Sequence, residues 1–231
     1  ASMTNAEGSF LRKNEMYDNN INCMKNIIKF CKKNKSKLVH ISSTSVYGKQ
    51  TSLVDETCEK KFLKPQSPYA ETKLKEEALI SSMVKHKNLR AMIFRYGTIF
   101  GISPGMRFHT AVNKFCWQAL AGIPISVWKT AYDQKRPYLD LDDCFRAIAF
   151  VIEKNLFDGR VYNVVTINST VQEVLEHIKN HVPDLKVNFV EHEIMNQLSY
   201  EVLSNRFESK GFVFSGNMRR GIKETINWNE K

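Results

Sequence analysis

A short apolar strand that runs into a cluster of hydroxyl side chains constrains this chain more than any other segment. Residues 38–42 form the predicted strand, whose end merges into the run Ser-Ser-Thr-Ser-Val-Tyr-Gly. Further along, Ser67 and Pro68 supply a capping hydroxyl and a first-turn proline, which is a common start of a helix. Tyr69 and Lys73 follow about one helical turn apart, so their side chains share one helix face. The pattern predicts a hydroxyl, a phenol and an ammonium around one reacting oxygen.

Helix and strand patterns alternate through residues 1–100, as they do in a doubly wound parallel sheet of the α/β class. Ligands of such sheets lie beyond the carboxyl ends of the strands. Shorter, mixed elements in 101–231 predict a smaller α/β substrate lobe, with some segments returning to the sheet. The predicted helices are 14–33, 69–85, 108–121, 142–154, 171–181 and 221–227, and the predicted strands are 38–42, 90–94, 125–128, 160–165 and 186–190.

Charge and composition argue against several classes of protein. The formal net charge is +10, but the densest basic run, 29–37, falls at the end of a predicted helix, where cations suit the helix dipole. We therefore predict solvated lysines and no nucleic-acid face, with a preference for anionic small molecules. No run approaches the roughly 18 apolar residues of a membrane span, so we expect a cytoplasmic protein without membrane contact. The five scattered cysteines predict reduced thiols and no metal site.

The Tyr69 and Lys73 pair suggests proton transfer. A free tyrosine has a pKa near 10 and is a weak base at neutral pH. A lysine ammonium nearby favours the phenolate and lowers this pKa, so that Tyr69 can exchange a proton with a substrate alcohol. Ser43, at the strand end, is placed to hydrogen-bond the same oxygen.

Several motifs in the same order resemble the extended short-chain dehydrogenase/reductase family, in particular its nucleotide-sugar epimerase branch. The resemblance implies the C-terminal part of a Rossmann-like sheet, bound NAD (with NADP not excluded), a nucleotide-sugar substrate and a homodimer through helices 14–33 and 69–85. The motifs lie at 17–22, 42–48, 65–73 (Pro-Gln-Ser-Pro-Tyr-x-x-x-Lys), 95–98, 136–143 (Arg-Pro-Tyr-Leu-Asp-Leu-Asp-Asp) and 162–164 (Tyr-Asn-Val).

The same resemblance implies roles for individual residues. The oxidised nicotinamide would assist Lys73 in lowering the pKa of Tyr69, and Lys73 would also hold the cofactor ribose. Arg136 would bind the substrate diphosphate, or else form a surface salt bridge to nearby aspartates. Trp128 would contact the nucleotide, or else belong to the core. His109 is expected to be structural and not an acid. The implied catalytic residues are Ser43, Tyr69 and Lys73; the cofactor-binding residues are Asn19, Ser42, Tyr69, Lys73 and Tyr96; and the substrate-binding residues are Thr98, Met106, Arg107, Val127, Trp128 and Arg136.

Departures from the family pattern narrow the expected chemistry. Family dehydratases carry an Asp-Glu pair where this chain has Thr44 and Ser45, and the epimerase-reductase that makes GDP-fucose carries a cysteine at the position of Ser45. Both departures favour a simple epimerisation, expected at C4 of a UDP- or dTDP-hexose. A sugar or alcohol reductase or dehydrogenase is one alternative, and a non-catalytic cofactor sensor or scaffold is another. Thr98 replaces the usual asparagine, which weakens one expected substrate contact.

A glycine-rich turn after a first strand, which receives the cofactor pyrophosphate in dinucleotide-binding folds, does not occur in these 231 residues. We therefore expect the sequence to be a fragment that begins after the fourth strand of a longer enzyme. The fragment alone is expected to bind NAD poorly and to be inactive.

Overall fold

A computed structural model of the chain describes residues 2–6, 8–50, 53–86, 89–191 and 200–229. The helices are α1 (Lys13–Asn34), α2 (Pro68–Lys85), α3 (Ala111–Leu120), α4 (Leu141–Glu153), α5 (Val171–Lys179), α6 (Asn205–Glu208) and α7 (Met218–Asn229). The strands are β1 (Lys37–Ser43), β2 (Arg90–Tyr96), β3 (Thr98–Phe100), β4 (Ile125–Trp128), β5 (Arg136–Asp140), β6 (Val161–Val164), β7 (Ile167–Ser169) and β8 (Val187–Val190).

The main sheet is parallel, in the order β1-β2-β6, and has helices on both faces. Successive residues of a strand point to opposite faces. Ala91 and Ile93 of β2 accordingly pack with α1 and α2, whereas Met92 and Phe94 pack with α4. This arrangement confirms the predicted α/β class. Ser43 pairs with Tyr96, so the hydroxyl cluster lies at the carboxyl edge of the sheet.

Two smaller sheets lie outside the main one. β3 pairs parallel with β5, which pairs antiparallel with β7, and β4 pairs parallel with β8. Phe100, Ile125 and Tyr138 join α3, α5 and α7 in their core. The strands β3, β5 and β7, the short helix α6 and the 3-10 helix Thr44–Tyr47 were not predicted, because segments this short show too few periods of a pattern.

The start of α2 is defined by local chemistry, as predicted. Ser67 has an extended backbone and its Oγ accepts a hydrogen bond from the Ala70 amide at 3.2 Å, while Pro68 occupies the first turn. Gly48, which follows the hydroxyl cluster, lies against Lys64 in the loop that precedes α2. Its φ is +63°, and a Cβ there would lie 1.5 Å from the carbonyl oxygen of Lys64. A side chain at position 48 would therefore displace the loop that leads into α2.

The buried face of α2 differs from the prediction. The apolar pattern placed Leu74, Ala78, Leu79 and Met83 inward. Leu79 and Met83 pack against the core between the helices and the sheet, as predicted, whereas Leu74 is only half-buried and Ala78 is exposed. The buried residues of α2 are Pro68, Ala70, Thr72, Lys73, Glu76, Glu77 and Ile80. Charged side chains therefore fill much of the space between α2 and the sheet.

Two further observations bear on the predicted class of protein. Among the helices within the described ranges, none combines the length and the apolar character that a membrane crossing requires. All five cysteines are free thiols.

Candidate active site

The end of β1 and the start of α2 bring Ser43 and Tyr69 together. The Oγ of Ser43 accepts hydrogen bonds from the Ser45 amide at 3.2 Å and the Ser45 hydroxyl at 2.9 Å. Ser43 also lies close enough to the phenol of Tyr69 to act on its pKa. Because both bonds with Ser45 use Ser43 as the acceptor, the hydroxyl hydrogen of Ser43 is left to donate to the phenol oxygen or to a substrate oxygen beside it.

Lys73 lies beneath this pair and is 5% exposed. Its Nζ is 5.8 Å from the centroid of the Tyr69 ring and 2.9 Å from Oε2 of Glu76. The helical spacing therefore places the phenol and the ammonium side by side, as predicted. The ion pair with Glu76 was not predicted.

Together, the protein's own groups do not lower the pKa of Tyr69, and the expected joint effect of Lys73 and an oxidised nicotinamide stays a prediction. The pKa of Tyr69 is raised to about 12, chiefly because burial penalises the phenolate and also because Glu76 carries a nearby negative charge. The charge of Arg107 and the hydrogen bond from Ser43 act in the opposite direction. Tyr69 is therefore a protonated phenol at neutral pH in this structure.

The first residues of the chain contact the same region. The Oγ of Ser9 accepts a hydrogen bond from the Tyr69 amide at 3.3 Å. Thr4 accepts one from Nη1 of Arg107 at 2.6 Å, and the side chain of Asn20 exchanges two hydrogen bonds with the backbone of Met3. These contacts place Arg107, a predicted substrate residue, close enough for its charge to influence Tyr69.

The remaining predicted cofactor residues have other contacts. The hydroxyl of Ser42 donates to Oε1 of Glu77 at 2.6 Å, within the packing of α2 against β1. The side chain of Tyr96 is buried in the cluster on the α4 face, and its hydroxyl donates to the carbonyl of Cys144 at 3.4 Å. These contacts hold the side chains of Ser42 and Tyr96 in the packed core. Asn19 is exposed on α1 and donates to Asn20.

The predicted substrate residues are divided between core and surface. Val127 is 3% exposed and belongs to the core of the smaller sheets, so its side chain cannot contact a substrate. Its strand neighbour Trp128 points to the opposite face and is partly exposed. Thr98 and Met106 are half-buried in or near β3.

Arg136 is half-buried at the start of β5. Its charge opposes the effect of burial on Tyr200, whose pKa is nevertheless raised to about 12. The Tyr200 hydroxyl donates to the carbonyl of Thr44 at 3.1 Å. Arg136 is thus linked to the hydroxyl cluster through one buried tyrosine.

Two residues of this site, Glu76 and His40, were not predicted from the sequence. Glu76 follows the tyrosine-lysine motif on the same helix, so its spacing from Lys73 was a usable signal. His40 lies within β1, and a single histidine in a strand carries no comparable signal. No group of three or more metal-ligating side chains occurs in the ranges that the structure covers.

A family model, the NAD dependent epimerase/dehydratase family, matches residues 1–165. The match spans more than half of the chain. The chain belongs to this family. Its Ser43, Tyr69 and Lys73 occupy the motifs on which the resemblance was recognised, and the geometry above shows that the fold brings them together.

Curated relatives of this epimerase/dehydratase chain are distant in sequence. The dTDP-D-glucose 4,6-dehydratase of Bos taurus is 25% identical over 201 residues, which are 83% of this chain and 55% of that protein. An uncharacterised 37.6 kDa protein of Escherichia coli O111:H- is 27% identical over 91% of this chain and 68% of its own length. The chain thus spans about half the length of the bovine relative.

Solved structures share the fold of this family member. The UDP-glucose 4-epimerase of Thermus thermophilus, in complex with NAD, superposes with a TM-score of 0.84 at 21% identity, covering 98% of this chain and 75% of that one. A double mutant of the dTDP-glucose 4,6-dehydratase of Streptomyces venezuelae gives 0.86 at 19% identity, covering 100% and 71%. These superpositions establish that the chain has a Rossmann-like fold. At this level of identity they establish the fold alone.

Proposed function

We propose that this chain carries the catalytic part of an NAD-dependent nucleotide-sugar epimerase, acting at C4 of a UDP- or dTDP-hexose. The observation that carries the proposal is the meeting of Ser43, Tyr69 and Lys73 at the carboxyl edge of the sheet, with the Lys73 Nζ 5.8 Å from the centroid of the Tyr69 ring. Related structures described as complexes with NAD and with UDP-glucose support this cofactor and substrate class.

The donor set of the site suits a nicotinamide nucleotide. An ammonium has three N–H donors, and Glu76 accepts one from Lys73, so ribose hydroxyls are suitable further partners. When bound, NAD would supply the hydride acceptor and a positive charge that favours the phenolate of Tyr69. Tyr69 first has to release its own proton to solvent, and its phenolate can then take the proton of the sugar hydroxyl and later return it. Ser43 donates to the same oxygen and keeps it in line with the phenol.

Epimerisation is favoured over dehydration by the residues beside Ser43. Thr44 is buried, and its Oγ1 donates to the carbonyl of Tyr96 at 3.2 Å. Ser45 is hydrogen-bonded to Ser43. Neither side chain can act as the carboxylic acid and carboxylate pair that elimination of water uses. Dehydration remains the second candidate because several relatives are dTDP-glucose 4,6-dehydratases.

Arginines are the proposed ligands of the substrate diphosphate. A guanidinium offers planar, paired donors to phosphate oxygens. Arg107 is exposed beside Tyr69, and Arg136 is half-buried and linked to the hydroxyl cluster. We expect Arg136→Gln to raise KM for the nucleotide-sugar with little change in kcat. Arg160→Gln, an exposed arginine beside Asp158, is the matched control.

The homodimer and the cytoplasmic location are also proposals. Tyr17, Ile27 and Phe30 of α1 expose apolar surface, and α1 packs beside α2, so a second copy could cover this face. Sedimentation of the protein and of Phe30→Asp tests the dimer. A monomer at all concentrations contradicts it.

The reaction is tested in the whole protein that carries this chain, not in residues 1–231 alone, by incubating it with NAD and with UDP-glucose or dTDP-glucose and by following the sugar by proton NMR. Interconversion at C4 without net NADH supports the proposal. A 4-keto-6-deoxy product indicates dehydration, stoichiometric NADH indicates a dehydrogenase, and binding without turnover indicates a sensor. Tyr69→Phe is expected to lower the rate by about 10²–10⁴-fold, because it removes the proton acceptor. Tyr17→Phe, on the exposed face of α1, is the control.

A further inference from the structure

A buried carboxylate lies behind Lys73, on the side away from solvent. Glu76 is 0% exposed, and its Oε2 accepts the 2.9 Å hydrogen bond from Lys73. His40 of β1 is 5% exposed, and its Nε2 lies 3.3 Å from the same oxygen. Within the described residues, neither Oε1 of Glu76 nor Nε2 of His40 makes a hydrogen bond.

The neighbouring carboxylate of α2 provides a contrast. Glu77 accepts hydrogen bonds from Nε and Nη2 of Arg95, at 3.0 and 2.7 Å, and from the hydroxyl of Ser42. Both of its oxygens are therefore partnered, as expected for a structural ion pair. Glu76 has a single ammonium as its partner. Such incomplete pairing is costly in a buried site, and it is typical of groups that serve a function.

The charges around Glu76 come from two elements. On α2 it is flanked by Lys73, Glu77 and Tyr69, and from β1 it is faced by His40. Burial and the charge of Lys73 lower the pKa of His40 to about 3, so this imidazole is neutral. Burial raises the pKa of Glu76, whereas the charge and the hydrogen bond of Lys73 act in the opposite direction, so Lys73 is the group that favours the Glu76 carboxylate. The positive charge of Lys73 is offset by this carboxylate and is not reinforced by His40. Tyr69 consequently gains little from the ammonium beside it, and the charge of Glu76 raises the pKa of its phenol.

We infer that Glu76 is a positioning residue of the proposed active site: it holds the Lys73 ammonium, with His40 packed behind it, and offsets its positive charge, so that the ammonium alone gives the Tyr69 phenolate little support before a cationic cofactor binds. The inference rests on the proposed function.

The test is a titration of Tyr69 in the chain itself. Tyrosinate absorbance is recorded against pH, and subtraction of the Tyr69→Phe curve isolates Tyr69. Circular dichroism of the same samples defines the range in which the chain is folded. Glu76→Gln removes the charge and keeps an acceptor for Lys73, so the Tyr69 midpoint is expected to fall by ~1 pH unit. Glu76→Asp keeps the charge and is expected to keep the midpoint of the unaltered chain.

Glu71→Gln, on the exposed face of the same helix, is the matched control and should leave the midpoint unchanged. A midpoint in the Glu76→Gln variant no lower than that of the unaltered chain overturns the inference, and so does an equal shift in the aspartate variant. If Glu76→Gln does not fold, Glu76→Leu removes the same charge with a side chain of similar size and must give the lower midpoint. No nucleotide or turnover is needed, so failure here is distinguishable from failure of the proposed epimerase.

Discussion

The buried ion pair of Arg95 and Glu77 is a direct test of how α2 is held to the sheet. Two parallel hydrogen bonds join the guanidinium and the carboxylate, and the guanidinium also lies 4.8 Å from the centroid of the Tyr47 ring. Ser42 donates to the same carboxylate, at the position directly before Ser43. The perturbation is Glu77→Gln, which keeps the size of the side chain and removes its charge.

The magnitude follows from the burial of the partners. Both side chains are below one tenth exposed, so solvent screens the pair little. Removing one partner of a buried pair costs about 3–5 kcal/mol, because the other charge is left uncompensated. The glutamine oxygen retains one acceptor for Arg95 or Ser42, which favours the lower end. We expect the free energy of unfolding to fall by about 3 kcal/mol.

Urea unfolding followed by circular dichroism measures this loss. The control is Glu71→Gln, whose partner Lys13 is 3.5 Å away on the surface, and an exposed pair of this kind contributes about 0–1 kcal/mol. Equal losses in the two variants, or a loss below about 1 kcal/mol for Glu77→Gln, would refute the reasoning that this pair anchors α2.

Three further predictions concern the site and its surroundings. Ser43→Ala should lower the epimerisation rate by about 10²-fold because it removes the donor to the reacting oxygen, whereas Ser45→Ala should lower it only about tenfold; NMR rates that are equal for the two variants contradict this order. Gly48→Ala should lower the urea midpoint strongly, since its Cβ would overlap the carbonyl of Lys64; a midpoint within error of the unaltered chain contradicts it. Burial raises the pKa of Glu56 above its ordinary 4.5, so its protonated form is favoured in the folded state. Relative to the Glu56→Gln variant, the unaltered chain is therefore most stable below pH 4.5. This relative stability is lost as the pH rises through the raised pKa of Glu56. A stability difference between these two proteins that does not change with pH contradicts this prediction.

The sequence by itself determined the order of the main elements and predicted which side chains meet at the proposed site. The predicted strand 125–128 coincides with β4, and predicted helix 69–85 differs from α2 by one residue at its start. The bounds of these elements depend on local periodicity and on capping residues, and both can be recognised from residues close together in the sequence. The Tyr69 and Lys73 pair was recognisable for the same reason, because a helix turns a spacing of four into a shared face.

Only the tertiary structure decided the electrostatics of that pair. The partners of α2 lie far along the chain: Ser42 is 35 residues from Glu77, and Arg95 is 18. No periodicity within the helix could show that Glu76 and Glu77 face the sheet while Ala78 faces solvent. Burial and long-range charge set the direction of the Tyr69 pKa, and both arise only when separate segments pack together.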